Sequence, residues 1–168
     1  MFIFQNKLPF LIVACGALIA LATAYGAEFI FGLRPCELCY YQRYFFYALF
    51  LLSSLFFVWI IPAHDKKWIV SIIILAGLTL GNAGLATYQV LVEQKIVPAP
   101  KVCRAKKAAT LEELRASLEK GPPVSCAEIP WELFGVSMAG YGILYNLTFF
   151  VYLLLCLQRR LKIKRENP

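Results

Sequence analysis

Two cysteines three positions apart, Cys36 and Cys39, stand in the run Pro35-Cys36-Glu37-Leu38-Cys39-Tyr40-Tyr41-Gln42-Arg43. Side chains at this spacing meet across one helical turn, so the two sulfurs can close a disulfide or share a metal. Pro35 suits the first turn of a helix, where its missing N–H leaves nothing unpaired. The helix then begins at the pair, and its positive end favours a thiolate at Cys36. Arg43 follows one turn beyond Cys39 on a similar face and places a fixed positive charge near the sulfurs. A second pair, Cys103 and Cys126, lies in a later loop rich in lysine and arginine. Lys101, Arg104, Lys106 and Lys107 surround Cys103 and predict an exposed thiol of low pKa. Two pairs on one side of a membrane can exchange electrons through a mixed disulfide. The alternatives are a loop staple at Cys103–Cys126, worth ~3 kcal/mol in the chain-entropy account, and a four-thiolate metal-binding or metal-transport site.

What must position these residues is a set of membrane spans. The chain has 168 residues, 60% of them hydrophobic, and a mean hydropathy of +0.66. Four apolar runs, about 8–31, 40–61, 68–92 and 134–157, each reach the ~20 residues that a bilayer requires. They predict an all-α membrane protein, a single domain over 1–168 built as a four-transmembrane-helix bundle, with a long loop at about 93–133. Gly16, Ala20, Ala22 and Ala24 in the first run, and Gly77, Gly81 and Gly84 in the third, provide small residues for close helix contact. A rival for the first run is a cleaved signal peptide ending at Ala22-Thr23-Ala24, but the apolar stretch continues to Phe31 with Glu28 as its one interruption. Tyr40, Tyr41, Tyr44 and Tyr47 form an aromatic belt at the mouth of the second run, and Trp68 anchors the third. In the long loop, Thr110-Leu111-Glu112-Glu113 is a capping box for a helix through Lys120, stopped by Gly121-Pro122. Its apolar stripe suits either the membrane surface or the rest of the loop.

Four spans place both termini on one side, and the Cys36/Cys39 turn with the long loop on the other. The 17 basic residues divide almost evenly between the sides. Arg159, Arg160, Lys162, Lys164 and Arg165 nonetheless abut the last span directly, which puts the termini in the cytoplasm. The four loop-side cysteines then face an oxidising compartment. Cys15 and Cys156 read as buried small apolar residues. Because the basic residues cluster at span ends, the net charge of +7 points to membrane lipid and to no nucleic acid. A sink for electrons is needed, and a membrane-soluble quinone can reach a pair at the mouth of the bundle.

The motif Pro-Cys-x-Leu-Cys-x-x-Gln-Arg at 35–43 resembles that of the disulfide bond formation protein B (DsbB) family. Pro98-x-Pro100-x-x-Cys103 and Cys126-Ala-Glu-x-x-Trp131-x-x-x-Gly135-x-x-Met138 resemble that family's later motifs, in the same order. The resemblance covers nearly the whole chain. It implies a quinone-dependent thiol:disulfide oxidoreductase of the bacterial inner membrane, with its redox cysteines in the periplasm. Such a protein reoxidises a DsbA-like periplasmic partner of thioredoxin fold and passes the electrons to ubiquinone or menaquinone. It further implies that the partner attacks Cys103, that Cys126 passes electrons to Cys36, and that Cys39 forms the thiolate at the quinone with Arg43 assisting. Members often carry a histidine near the outer end of the third span, where this chain reads Tyr88-Gln89-Val90-Leu91-Val92-Glu93. The quinone contacts then rest on Gln89 as hydrogen-bond donor or on a different binding mode. The one histidine, His64, lies in the opposite loop. The vitamin K epoxide reductase type is another quinone-coupled thiol oxidoreductase, but it carries its pair near the end of its spans rather than after the first. Pairing among the four cysteines stays open, with three full pairings available.

Overall fold

The structure, a computed structural model, describes residues 2–59, 65–103, 125–129 and 131–166. Four long helices dominate these residues: α1 (Phe2–Phe29), α2 (Glu37–Trp59), α3 (Asp65–Glu93) and α4 (Met138–Glu166). Each is long and apolar enough to cross a membrane. A 3-10 turn at Lys101–Cys103 and a hairpin of β1 (Glu132–Leu133) with β2 (Val136–Ser137) occupy the space between α3 and α4. The expected four-helix membrane architecture is therefore present.

Helix ends differ from those that hydropathy suggests. The last span was expected from residue 134, but α4 begins at Met138. Phe134 and Gly135, with φ of 52° and 74°, close a two-residue hairpin loop between β1 and β2. Ser137 then caps the helix, its Oγ accepting the Gly140 N–H at 3.2 Å. At the other end α4 runs past Leu157 to Glu166. Lysine and arginine are good helix formers and sit favourably at a helix C-terminus, so loss of apolarity does not end the helix. Helix α3 stops in a Schellman turn: Lys95 adopts φ 59° and the Ile96 N–H returns to the Leu91 carbonyl at 3.0 Å. This turn sends 97–103 back over the mouth of the bundle. The expected helix at Thr110–Lys120 lies outside the described residues, as does His64.

Helix α3 packs most extensively on α4, and α1 on α2. One apolar core fills the end of the bundle near the termini, around Phe10, Ile72, Leu75 and Leu153. Trp68, expected as an interfacial anchor, belongs to this core at 5% exposure and meets Phe10 edge-to-face. Mid-bundle, Asn82 donates to Asn146 Oδ1 at 3.2 Å, and Asn146 donates to the Gly142 carbonyl at 2.7 Å. This polar rung joins α3 to α4. Helices α1 and α4 meet at Gly16, where Tyr145 Oη donates to the carbonyl at 2.7 Å and a Cβ would meet the tip of the Phe149 ring. Cys15, expected to be buried, is instead exposed on α1.

Candidate active site

Cys36 occupies the capping position of α2. Its Sγ accepts the Cys39 backbone N–H at 3.3 Å, which serves one of the orphan donors at a helix start. The pair is thereby preorganised: Cys36 and Cys39 are free thiols with sulfurs 2.7 Å apart. The expected thiolate at Cys36 is corrected by its surroundings. The contact with the Cys39 sulfur, and then burial, push the Cys36 thiol up, and these outweigh the N–H groups of the helix end.

Cys103 and Cys126 are joined in a disulfide with Cα atoms 5.6 Å apart. This selects one pairing from those the sequence left open. Cys103, expected as an exposed thiol, is buried at 9%, and Cys126 is buried at 1%. The physical reason is packing. Cys36, Leu38, Val92, Cys103 and Cys126 form one buried cluster, with Cys39, Tyr88 and Val97 against it. The 3-10 turn carries Cys103 there, with the Cys103 N–H bonded to the Pro100 carbonyl at 2.9 Å. Both cysteine pairs thus share one apolar cluster at the loop-side end of the bundle. Arg104, Lys106 and Lys107 lie outside the described residues.

Cys39 also faces a cavity of about 680 Å³. Its walls come from α1 (Ile19, Ala20, Thr23, Ala24), from α4 (Met138, Tyr141, Tyr145) and from Trp131 and Leu133 of the hairpin region. The polar groups that reach it from α2 and α3 include Gln42, Arg43 and Gln89. A largely apolar cavity of this volume with a few convergent polar groups is the form of a small-molecule site. Gln89 is buried; its Nε2 lies 3.5 Å from Cys39 Sγ and its Oε1 accepts from Gln42 Nε2 at 2.8 Å. Among the described residues, the sequence-selected Cys36, Cys39, Cys103, Cys126, Arg43 and Gln89 are all brought to this end of the bundle.

Arg43 is not a free charge. It is 7% exposed and bonds Glu28 Oε2 at 2.5 Å and the Ala24 carbonyl at 3.2 Å. Its guanidinium also lies over the Tyr25 and Tyr40 rings, at 4.6 and 5.4 Å from their centroids. Glu28, Gln42 and Glu93 were given no role from sequence. For Glu28 the available signal was its charge inside the first apolar run, where an ionisable side chain is expensive and needs a partner. Glu28 and Arg43, one in each of the first two spans, supply that partner for each other. The metal alternative needs four thiolates, but two of the sulfurs are bonded to each other. No group of three or more His, Cys, Asp or Glu side chains among the described residues is placed to hold a metal.

With the geometry in place, comparison with known proteins gives a consistent result. Residues 6–156 match the family model for Disulfide bond formation protein DsbB. An uncharacterized protein, RP370, of Rickettsia prowazekii (strain Madrid E) is 30% identical over 89% of this chain and 86% of its own. A Disulfide bond formation protein B of Marinobacter nauticus is 30% identical over 83% of this chain and 84% of its own. Another, of Dechloromonas aromatica, is 27% identical over 92% and 96%. No solved structure matches the chain significantly.

Proposed function

Because the chain belongs to the disulfide bond formation protein DsbB family, we propose that it oxidises a DsbA-like periplasmic protein of thioredoxin fold and delivers the electrons to ubiquinone or menaquinone in the bacterial inner membrane. The observation that carries this reading is the meeting of both cysteine pairs in one buried cluster, with Cys39 also facing the apolar cavity. A quinone ring with part of its tail suits the volume and chemistry of that cavity: apolar walls, with the remaining N–H groups of Gln42 and Arg43 as donors for carbonyl oxygens, while Gln89 is engaged by Glu93 and Cys39. When bound, a quinone supplies a sink for two electrons and two protons.

In this reading a partner thiolate attacks Cys103 Sγ, breaking the Cys103–Cys126 bond and releasing Cys126 as thiolate. The partner's second thiol displaces Cys103, and the partner leaves as a disulfide. Cys126 then attacks Cys36 Sγ of a closed Cys36–Cys39 pair and frees Cys39. Cys103 attacks Cys126, restoring the outer disulfide and releasing Cys36. The result is an open inner pair beside a closed outer pair. Cys39, held at Gln89 within the cavity, gives up the electron pair as the inner disulfide re-forms. Over the cycle the partner loses two electrons and two protons, and both leave with the reduced quinone. The whole chain acts as one membrane domain with both termini in the cytoplasm, a placement supported by the five basic residues that end α4.

The test is turnover in detergent with a reduced DsbA-type protein and a soluble ubiquinone analogue, followed by quinone absorbance. Turnover that vanishes in both Cys39→Ser and Cys103→Ser supports two pairs in series. Turnover with a menaquinone analogue alone keeps the mechanism and changes the sink. Folded protein inert with both quinones would refute the reading.

A further inference from the structure

We propose that Glu93 is a positioning residue for Cys39, setting which end of the Gln89 amide faces the sulfur. The inference rests on the reading of Cys39 as the sulfur that delivers electrons. Glu93 and Gln89 lie one turn apart on α3, buried at 7% and 4%. Gln89 Nε2 donates to Glu93 Oε1 at 3.2 Å and lies 3.5 Å from Cys39 Sγ. Gln89 Oε1 accepts from Gln42 Nε2 at 2.8 Å and lies farther from the sulfur, at 3.9 Å. The chain thus runs Gln42, Gln89, Glu93, with the sulfur beside its middle member.

Each amide in this chain can turn over and exchange its donor for its acceptor, and two amides in series can turn together. The Glu93 carboxylate has acceptor oxygens where an amide has one oxygen and one NH2. It therefore accepts only from the Nε2 end of Gln89 and fixes the polarity of both amides. The consequence lies at Cys39. With this polarity an N–H is the nearer group to the sulfur, which favours a thiolate; the reverse polarity would set a carbonyl oxygen there and disfavour it. A hydrogen bond to a charged group shifts such an equilibrium by roughly tenfold or more. Other charged or titratable groups on the walls of this cavity or at the pair are Cys36, Arg34, Arg43 with its partner Glu28, Tyr141 and Tyr145. None of these is exchanged in the comparison below except Cys36, which is replaced throughout.

The experiment uses the full chain in nanodiscs with Cys15→Ala, Cys36→Ser and Cys156→Ala, so that Cys39 is the one free thiol beside the Cys103–Cys126 disulfide. Iodoacetamide alkylation is timed at pH 7 and at an alkaline plateau; the thiolate attacks carbon and iodide leaves. Glu93→Gln, which lets the amides turn, should slow the pH 7 reaction roughly tenfold and leave the plateau rate unchanged. Gln89→Leu should give a similar loss, and the two changes together no more than one alone. Glu93→Met, which removes the carboxylate, serves if Glu93→Gln folds poorly. An unchanged pH 7 rate, a plateau that falls equally, or additive losses would each overturn the assignment. The assay contains neither partner nor quinone, so its failure leaves the proposed relay standing, and failure of turnover leaves this result standing.

Discussion

At the scale of the residue, the informative group is the half-buried Arg43–Glu28 pair, in which Arg43 is buried and Glu28 partly exposed. Removing one member of a buried ion pair leaves an uncompensated charge, which costs about 3–5 kcal/mol, whereas apolar replacement of both is often neutral. Arg43→Leu leaves a carboxylate that is partly exposed, so it should lower the unfolding free energy by less than that, about 1–3 kcal/mol, read by denaturant melts in mild detergent. Glu28→Leu with Arg43→Leu should recover most of the loss yet leave quinone reduction impaired. Recovery of turnover in the double variant would show that Arg43 serves the fold alone. The cysteines and Arg43 were legible because few side chains do their chemistry and their spacing is short. Glu28 and Gln42 were not, because their roles come from contacts between helices that no local spacing records; Glu93 stands four residues from Gln89 on α3, a spacing that gains meaning only once Gln89 is placed beside the Cys39 sulfur. Cys36 was read as the thiolate because its position at the helix end was visible, while its burial was not, and the nearness of the Cys39 sulfur, which the spacing did show, was not weighed against the helix end.

At the scale of the element, the contact between α1 and α4 is set by the absence of one side chain. An added methyl at Gly16 meets the tip of the Phe149 ring, and overpacking of this kind costs ~1–3 kcal/mol. In an isolated helix the same change would gain about 1 kcal/mol. Gly16→Ala should therefore be destabilising by about 1 kcal/mol in net. Its sign should reverse in a Phe149→Ala background, as thermal melts of the four variants would reveal. An unchanged sign would mean that the helices do not meet at this point. Sequence placed all four helices because apolar runs of span length have few other solutions. The bounds of helix α4, Met138–Glu166, differ from those of the apolar run at about 134–157. The stretch from Phe134 is apolar enough to continue the span, but Gly135 and the Ser137 cap make a hairpin of it; beyond Leu157 polarity rises while helix propensity does not fall.

At the scale of the whole molecule, the bundle and the disulfide-closed segment are held by different forces. The Cys103–Cys126 bond links residues 23 apart, which is worth ~3 kcal/mol against the open loop. The apolar core around Phe10, Ile72 and Leu153 lies at the other end of the bundle. Reduction of that disulfide should leave helical circular dichroism unchanged while amide hydrogen exchange quickens at 97–103 and 125–129. A cooperative loss of helix on reduction would show that the outer pair staples the bundle itself.

The cavity beside Cys39 has walls on both α1 and α4, and at Gly16 these helices close against each other. The quinone proposed for it dissolves in the lipid phase rather than in the water, so its relevant concentration would be a mole fraction among lipids or detergent. Occupancy then follows the composition of the bilayer, and adding micelles dilutes the site's ligand even when the amount per litre is constant. With that proposed acceptor, the protein would register how rich the membrane is in quinone rather than how much the cell contains.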